Sequence, residues 1–356
     1  MRTGRGLRPR IGSSVAARGR GAFLVLCLAA ALMAACTAAP SVTRDAGTFP
    51  PPGSIAPTGT TSSEPATSAM PATPETPTPE PAKPASFNVN RVLADTRAIE
   101  DFGRRVAGGS QEKAAADYVA ARLRSMGYKV TIQKFDVPGG VSRNVTARVA
   151  GDDPRVLVLG GHLDSKSTTP GANDNALGCA MVLEMARIFT TEKPPVSLEF
   201  TLFGAEEYND GTPRDHHRGS RYHVAHMSKA QRARTIGMIS IDVVGYGTRL
   251  YTRTMGLGPM TMSDYLLRRA RKLGVRLSYS KDPGPTGWSD HEPYEKVGIP
   301  AVWLERLQDP QYHKAGDTTA HLQSSAVKAA GRLVLDAVRD MDAAEASAIR
   351  GGATEP

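Results

Sequence analysis

Four short apolar runs, each followed by side chains that can bind metal, constrain the fold of this sequence most strongly. The runs cover residues 156–159, 198–203, 236–241 and 301–304. Runs of this length and composition are typical of buried strands in a mostly parallel sheet. In such sheets, binding sites form beyond the carboxyl ends of the strands. We therefore expect side chains from distant parts of the sequence to meet at one edge of the sheet.

Two histidines and three carboxylates follow these runs as candidate metal ligands. They are His162, Asp174, Glu207, Asp242 and His313. Neutral imidazole and carboxylate together suit Zn²⁺ and similar divalent cations. Five such ligands exceed the number that one catalytic zinc requires. The pattern therefore indicates a pair of metal ions.

Single motifs in this set also have ordinary structural explanations. His162 and Asp164 could be a surface pair, although a metal-bound histidine usually donates its second ring N–H to such a carboxylate. Asp174 or Asn175 could simply cap the helix that begins near Leu177. The metal interpretation gains weight only because all five candidates occur together.

Glu206 and Glu207 follow the second apolar run. Adjacent residues on an extended strand point to opposite faces, so both can enter one site only if the chain turns here. Gly204 would permit that turn. One carboxylate could then bind metal while the other transfers a proton. Asp242 ends the third run, where an acid is costly to bury without a partner.

The remaining histidines and Cys179 are weaker candidates. His321 lies near a predicted helix start. Four more histidines lie close together, and we interpret them as surface residues rather than as a second metal site: His216, His217, His223 and His226. Cys179 lies in an apolar helical run without an activating base, which is typical of inert core.

Helix and strand patterns alternate from residue 87 to residue 345. Strands are predicted at 130–135 and 144–149 besides the four apolar runs, and helices at 110–126, 177–189 and 322–341. This alternation predicts an α/β fold, a three-layer α/β/α sandwich with a mixed, mostly parallel sheet. We expect one catalytic domain over 87–345, followed by a flexible tail over 346–356.

The N-terminal residues are typical of an export signal. Residues 1–35 contain six Arg and an apolar stretch that is too short to favour a spanning helix. Met33-Ala34-Ala35-Cys36 resembles a bacterial lipobox. This resemblance predicts that Cys36 is lipidated and that the protein is anchored to the outer face of a bacterial membrane. Simple cleavage near Ala35 and secretion is the alternative.

A spacer rich in Pro, Thr, Ser and Ala follows over 36–86, and its composition favours extended, solvated chain. The formal charge of +9 is concentrated in the six arginines of the export signal. The basic balance is therefore poor evidence for nucleic-acid binding, and we expect no nucleic-acid partner.

Six segments, taken together and in order, resemble the co-catalytic di-zinc aminopeptidase family of zinc exopeptidases. They are G-G-H-L-D-S, G-A-N-D-N-A-L-G, F-G-A-E-E, I-D-V-V-G, S-D-H-E-P-Y and Y-H-K-A-G-D-T. The resemblance extends from about Arg97 to about Leu322. It implies a single α/β/α domain, two Zn²⁺ ions and peptide substrates with a free N-terminus. We expect the protein itself to be a monomer.

The resemblance also implies a role for each residue. His162 and Asp242 would bind one zinc, Glu207 and His313 the other, and Asp174 would bridge the two. The catalytic residues would be Glu206 as general base, Tyr312 steadying the oxyanion, and Asp164 orienting His162.

Two other activities of the same superfamily stay open. Glutaminyl cyclases resemble the chain around G-H-L-D-S-K and G-S-R, but their last zinc histidine typically follows Trp, whereas Tyr312 precedes His313 here. Carboxypeptidases share the superfamily, as do receptor-like members, and a non-catalytic peptide-binding lipoprotein is the third alternative. The intact set of ligands favours the aminopeptidase interpretation.

Overall fold

Eight strands form one mixed sheet in the computed structural model, which describes residues 84–207 and 215–351. The strands are β1 (Val130–Val137), β2 (Gly140–Val149), β3 (Asp153–His162), β4 (Val196–Phe203), β5 (Thr235–Ile241), β6 (Leu250–Thr254), β7 (Leu277–Lys281) and β8 (Ala301–Glu305). Their order across the sheet is β1-β2-β4-β3-β5-β8-β6-β7.

The four central strands are parallel and correspond to the four apolar runs. β4, β3, β5 and β8 pair in parallel, while β1, β2 and β6 add antiparallel pairs on either side. Every residue of β5 is buried, as expected for a strand that is covered on both faces. The predicted mixed, mostly parallel sheet is confirmed.

Nine α-helices cover the sheet in the described residues. They are α1 (Val89–Glu100), α2 (Ser110–Ser125), α3 (Leu177–Ile188), α4 (Arg218–Ala225), α5 (Lys229–Arg234), α6 (Thr261–Leu273), α7 (Glu292–Lys296), α8 (Ser324–Arg339) and α9 (Ala343–Gly351). The helix over 177–188 is buried nearly all round, as its uniformly apolar sequence predicts.

Two hydrophobic clusters show that the sheet is covered on both faces. Leu157 and Leu159 of β3 belong to the larger cluster, which includes most of α3 and α8. Val158 between them belongs to a smaller cluster with Val224 of α4 and Tyr294 of α7. Because successive strand residues point to opposite faces, these contacts define the three layers of the predicted sandwich.

The C-terminal end corrects one prediction. Residues 346–351, predicted as the start of a flexible tail, lie in helix α9 instead. Asp342 Oδ1 accepts the backbone N–H groups of Ala344 and Glu345 at 2.9 and 2.8 Å, and Ala346 and Ile349 are buried. Capping and burial therefore hold this short helix against the domain.

The sequence patterns missed α1, α6, β6 and β7, which are partly exposed and lack long apolar runs. No helix in the described stretches has both the length and the apolar content needed to cross a membrane. The predicted export signal over 1–35, Cys36 and nearly all of the spacer lie outside the described residues, as does the tail beyond residue 351.

Candidate metal centre

The five candidate ligands meet at the carboxyl edge of the central strands. His162 is the last residue of β3, and Asp242 directly follows β5. Glu207 comes shortly after β4, and His313 lies on the loop after β8. Asp174 lies on the turn that leads into α3. The parallel order of the strands brings these distant residues together.

His162 and Asp242 form the first cluster with one oxygen of Asp174. His162 Nε2 lies 3.1 Å from Asp174 Oδ1 and 3.4 Å from Asp242 Oδ1. Glu206 Oε2 lies 4.0 Å from the same ring nitrogen. All four side chains are buried, so the cluster is shielded from bulk water.

Glu207 and His313 form the second cluster with the other oxygen of Asp174. His313 Nε2 lies 3.0 Å from Asp174 Oδ2 and 3.3 Å from Glu207 Oε1. The side chain of His313 is 28% exposed, which leaves an approach from solvent. Asp174 therefore faces both clusters, one oxygen to each.

The donors of both clusters fit a pair of divalent cations. Among the described residues, His162 Nε2, Asp242 Oδ1 and Asp174 Oδ2 are buried but make no hydrogen bond of normal geometry. Such buried polar atoms are costly unless something pairs with them. Imidazole nitrogen and carboxylate oxygen are also the donor set that zinc prefers.

The electrostatics of Glu206 and Glu207 support the same conclusion. Burial raises the pKa of Glu206 well above its ordinary value. The nearby His162 lowers that pKa, whereas Glu207 and Asp242 raise it further. Burial and then Asp174 raise the pKa of Glu207 in the same way. Bound cations would relieve this crowding of carboxylates.

Asp164 supports both sides of the centre, although not as the sequence predicted. His162 Nδ1 donates to the backbone carbonyl of Asp164 at 3.1 Å, whereas the Asp164 carboxylate is 3.7 Å away. That carboxylate instead accepts the backbone N–H groups of Glu206 and Glu207 at 2.9 and 3.0 Å. Asp164 thus fixes the turn that carries both glutamates.

The turn itself forms at Ala205, which has a φ of 52°, rather than at Gly204. Gly204 serves close packing. A Cβ there would lie 2.3 Å from Ser142 Oγ and 2.6 Å from Glu112 Oε1. The glycine therefore lets the start of the turn pack against β2.

The loop of Asp174 is held from behind by Asp317, which the sequence patterns did not single out, and by Asn175, which they offered as a capping residue. Asp317 accepts the backbone N–H of Asn173 at 2.6 Å and of Asp174 at 3.2 Å. Asn175 caps the following helix through its Oδ1, which accepts the N–H of Gly178 at 3.0 Å. Because Asn175 caps the helix, Asp174 does not, and its carboxylate faces the two clusters.

Arg105 is fully buried beside the same loop. Its guanidinium donates to the backbone carbonyls of Leu163 at 2.7 Å and Gly171 at 2.8 Å, and also to those of Gly103 and Pro170. Nothing in the local sequence around Arg105 signals this role, because all the acceptors are backbone atoms brought near by the fold.

Three further side chains contact the ligands or border the centre. Ser289 Oγ donates to Asp242 Oδ2 at 2.8 Å, and Lys166 Nζ lies 3.0 Å from Glu207 Oε2. The Tyr312 ring stacks on that of His313 with centroids 3.8 Å apart. Burial raises the pKa of Tyr312 well above its ordinary value, so its hydroxyl stays a hydrogen-bond donor.

The other histidines mostly form structural pairs. His321 contacts Asp309 at 2.8 Å, and His223 contacts Glu199 at 3.0 Å, whereas His226 is exposed. His217 differs from the surface interpretation, because it is 1% exposed and lies 3.1 Å from Glu206. Cys179 is buried, and burial raises the pKa of its thiol to about 12, so it stays protonated.

The sequence of this domain matches the model of peptidase family M28 over residues 144–338, more than half of the chain. The chain belongs to peptidase family M28. The matched residues include all five candidate ligands and Glu206.

Two curated relatives show the range of the match. Leupeptin-inactivating enzyme 1 of Streptomyces exfoliatus is 31% identical over 234 residues, which cover 64% of this chain and 50% of that protein. Aminopeptidase YwaD of Bacillus subtilis is 29% identical over 196 residues, covering 52% of this chain and 41% of that protein. The chain spans about half the length of these relatives.

Solved structures share the fold across different activities. An aminopeptidase from Aneurinibacillus sp. strain AM-1 has a TM-score of 0.62 at 19% identity, covering 75% of this chain and 94% of that one. Tannerella forsythia glutaminyl cyclase has a TM-score of 0.63 at 21% identity, covering 72% of this chain and 99% of that one. The M28 fold is therefore established, but the fold alone does not select a reaction.

Proposed function

We propose that this chain is a zinc-dependent aminopeptidase that hydrolyses the N-terminal peptide bond of a peptide. The observation that carries the proposal is the pair of ligand clusters that share Asp174, with Glu206 beside them. Membership of a peptidase family supports it, as do relatives that are named as aminopeptidases and zinc metalloproteases.

Each cluster would hold one zinc ion. His162, Asp242 and Asp174 would bind the first, and Glu207, His313 and Asp174 the second. When bound, the two ions would lower the pKa of a water molecule and polarise the carbonyl group of the scissile bond.

Glu206 and Tyr312 would supply the remaining chemistry. Glu206 would accept the proton of the attacking water and return it to the leaving amine, a task suited to a carboxylate whose pKa burial raises above its ordinary value. The Tyr312 hydroxyl, which stays protonated, donates a hydrogen bond to the oxyanion as charge develops on it.

Recognition of a chain end requires a group that binds the free α-ammonium. Glu206 and Asp242 are buried carboxylates at the centre and are the candidates for this contact. An acetylated N-terminus carries no charge and would lose it. We propose apolar N-terminal residues such as Leu as the preferred substrates.

Paired peptides test the proposal. Two peptides that begin with Leu and differ only in N-acetylation are incubated with the zinc-loaded protein, and the products are followed by mass spectrometry. Loss of the first residue from the free peptide alone is the expected result. Equal cleavage of both peptides, or loss of residues from the C-terminus, would rule out aminopeptidase action.

A glutaminyl cyclase is the second candidate, because such an enzyme shares the fold. Its reaction releases ammonia from an N-terminal Gln without shortening the peptide. A third peptide that begins with Gln distinguishes the two reactions in the same assay. Zinc-loaded protein that binds these peptides without changing any of them would instead indicate a non-catalytic binding protein.

We further propose that the protein is exported as a monomer and anchored by lipid on Cys36, with residues 36–86 as the spacer. Cys36→Ser should release or mislocalise the protein while leaving turnover unchanged. Wild-type protein that is cleaved before Cys36 and freely secreted would contradict the anchor.

A further inference from the structure

His217 lies beside Glu206 in a setting that matches the one around His162. Glu206 Oε2 faces His162, whereas Oε1 lies 3.1 Å from His217 Nε2. Like His162 Nε2, His217 Nε2 is buried and makes no hydrogen bond of normal geometry within the described residues. Both ring nitrogens thus face carboxylate oxygens without a hydrogen bond of normal geometry.

The second ring nitrogen of His217 is fixed by a carboxylate. Nδ1 donates to Glu292 Oε2 at 2.7 Å, and Arg221 and Lys296 contact the other oxygen of Glu292. Metal-binding histidines almost always donate their second N–H in this way, which leaves the lone pair of the first nitrogen for the metal. His217 therefore has the orientation of a metal ligand, with Nδ1 held by Glu292 and Nε2 facing Glu206.

His216 completes a set of three donors. One ligand atom from each of Glu206, His216 and His217 lies within 4.8 Å of the others. His216 also lines a cavity of about 190 Å³ together with Trp288 and Tyr312. The cavity gives a hydrated ion access to His216, the donor on the outer side of the set.

We infer that Glu206, His216 and His217 form a third divalent-cation site, which withdraws Glu206 from proton transfer when it is filled. Two imidazoles and one carboxylate form a common zinc donor set, with a fourth position open to water. These donors disfavour Mg²⁺ and Ca²⁺, which prefer oxygen ligands. The inhibitory consequence rests on the proposed function, whereas the binding site itself does not.

Stoichiometry provides the first test. Full-length protein that holds two equivalents of zinc is dialysed against increasing Zn²⁺, and its metal content is measured by elemental analysis. Wild-type protein should take up a third equivalent, whereas His216→Ala and His217→Gln should stop at two. His226→Ala, which removes an exposed histidine next to α4, should still take up three.

Turnover of a Leu-peptide on the same samples provides the second test. Wild-type activity should fall at least about tenfold as the third equivalent binds, because general-base catalysis contributes about 10² to 10⁴. His216→Ala should keep its activity over the same range of Zn²⁺. Inhibition by excess zinc that is equal in wild type and His216→Ala would overturn the inference.

Two further outcomes are decisive. The His217→Gln variant could lose turnover with two zinc equivalents bound and still take up a third. That result would make His217 a positioning residue for Glu206 and would refute the cation site. A third equivalent that depends on both histidines, in protein that cleaves no peptide, establishes the site and refutes the aminopeptidase proposal instead.

Discussion

The two halves of the metal centre are built on different supports. The strand-side half consists of His162 and Asp242, which end β3 and lie directly after β5, and whose side chains are 1% and 4% exposed. The loop-side half consists of Glu207 and His313, and the latter is 28% exposed. The sheet holds the first half, whereas loop conformation determines the second.

This difference predicts unequal zinc binding. Loops open locally more often than central strands, so the geometry of the loop-side half is maintained less strictly. Lys166 also places a positive charge 3.0 Å from Glu207, where a cation would bind. We expect the strand-side zinc to be held more tightly than the loop-side zinc.

Asp174→Ala should have the largest effect, because this carboxylate faces both halves. Both zinc sites should lose occupancy, and peptide turnover should fall to background. Elemental analysis and a peptide assay measure the two effects, with Asp152→Ala, an exposed surface acid, as the control. Unchanged zinc stoichiometry would remove the bridging role and leave the two halves independent.

Glu206→Gln should lower kcat by about 10² to 10⁴ while leaving both zinc ions bound. The amide keeps the shape of the side chain but cannot accept the proton. Steady-state kinetics and metal analysis on the same preparation separate the two effects. Activity close to wild type would show that Glu206 is not the base.

His162→Ala and His313→Ala should separate the two halves. Each should weaken one zinc by more than about 100-fold, since loss of a direct ligand exceeds the cost of losing an outer partner. Chelation of wild-type protein should proceed in a fast and a slow phase. His313→Ala should lack the fast phase and His162→Ala the slow one, and the reverse assignment would contradict the ranking of the halves.

Asp164→Asn should have a smaller effect, about 10- to 100-fold in zinc affinity or turnover. Asn keeps only one acceptor oxygen, so one of the two N–H groups of Glu206 and Glu207 loses its acceptor. The turn therefore loosens, while His162 keeps its backbone partner. The loop-side zinc should therefore be affected more. Equal weakening of both sites would show that Asp164 also acts on His162.

Much of the sheet and the convergence of the five ligand candidates could be predicted from sequence. Central parallel strands need continuous apolar runs, and the topology brings their carboxyl ends together, so His162 and Asp242 follow from local pattern. The roles assigned to these residues stay predictions. Exposed elements such as β7 lack that signal because none of the five residues of β7 is buried.

The residues that hold the site in place could not be predicted from local sequence patterns. The pairing of His217 with Glu292 joins residues 75 positions apart, and Arg105 acts only through backbone carbonyls. Neither leaves a periodic or local signature. Gly204 illustrates the same limit, because its neighbours on β2 determine its role rather than its own φ.

The buried guanidinium of Arg105 acts as a permanent internal clamp on the loop that carries Asp174. It is part of the chain and cannot diffuse away, so it organises these carbonyls whether or not zinc is present. Small zinc-dependent domains unfold when a chelator removes the metal, because metal binding supplies the free energy of folding. This protein should instead stay folded when its metal is removed, with the site preformed, and should regain zinc by direct binding without refolding.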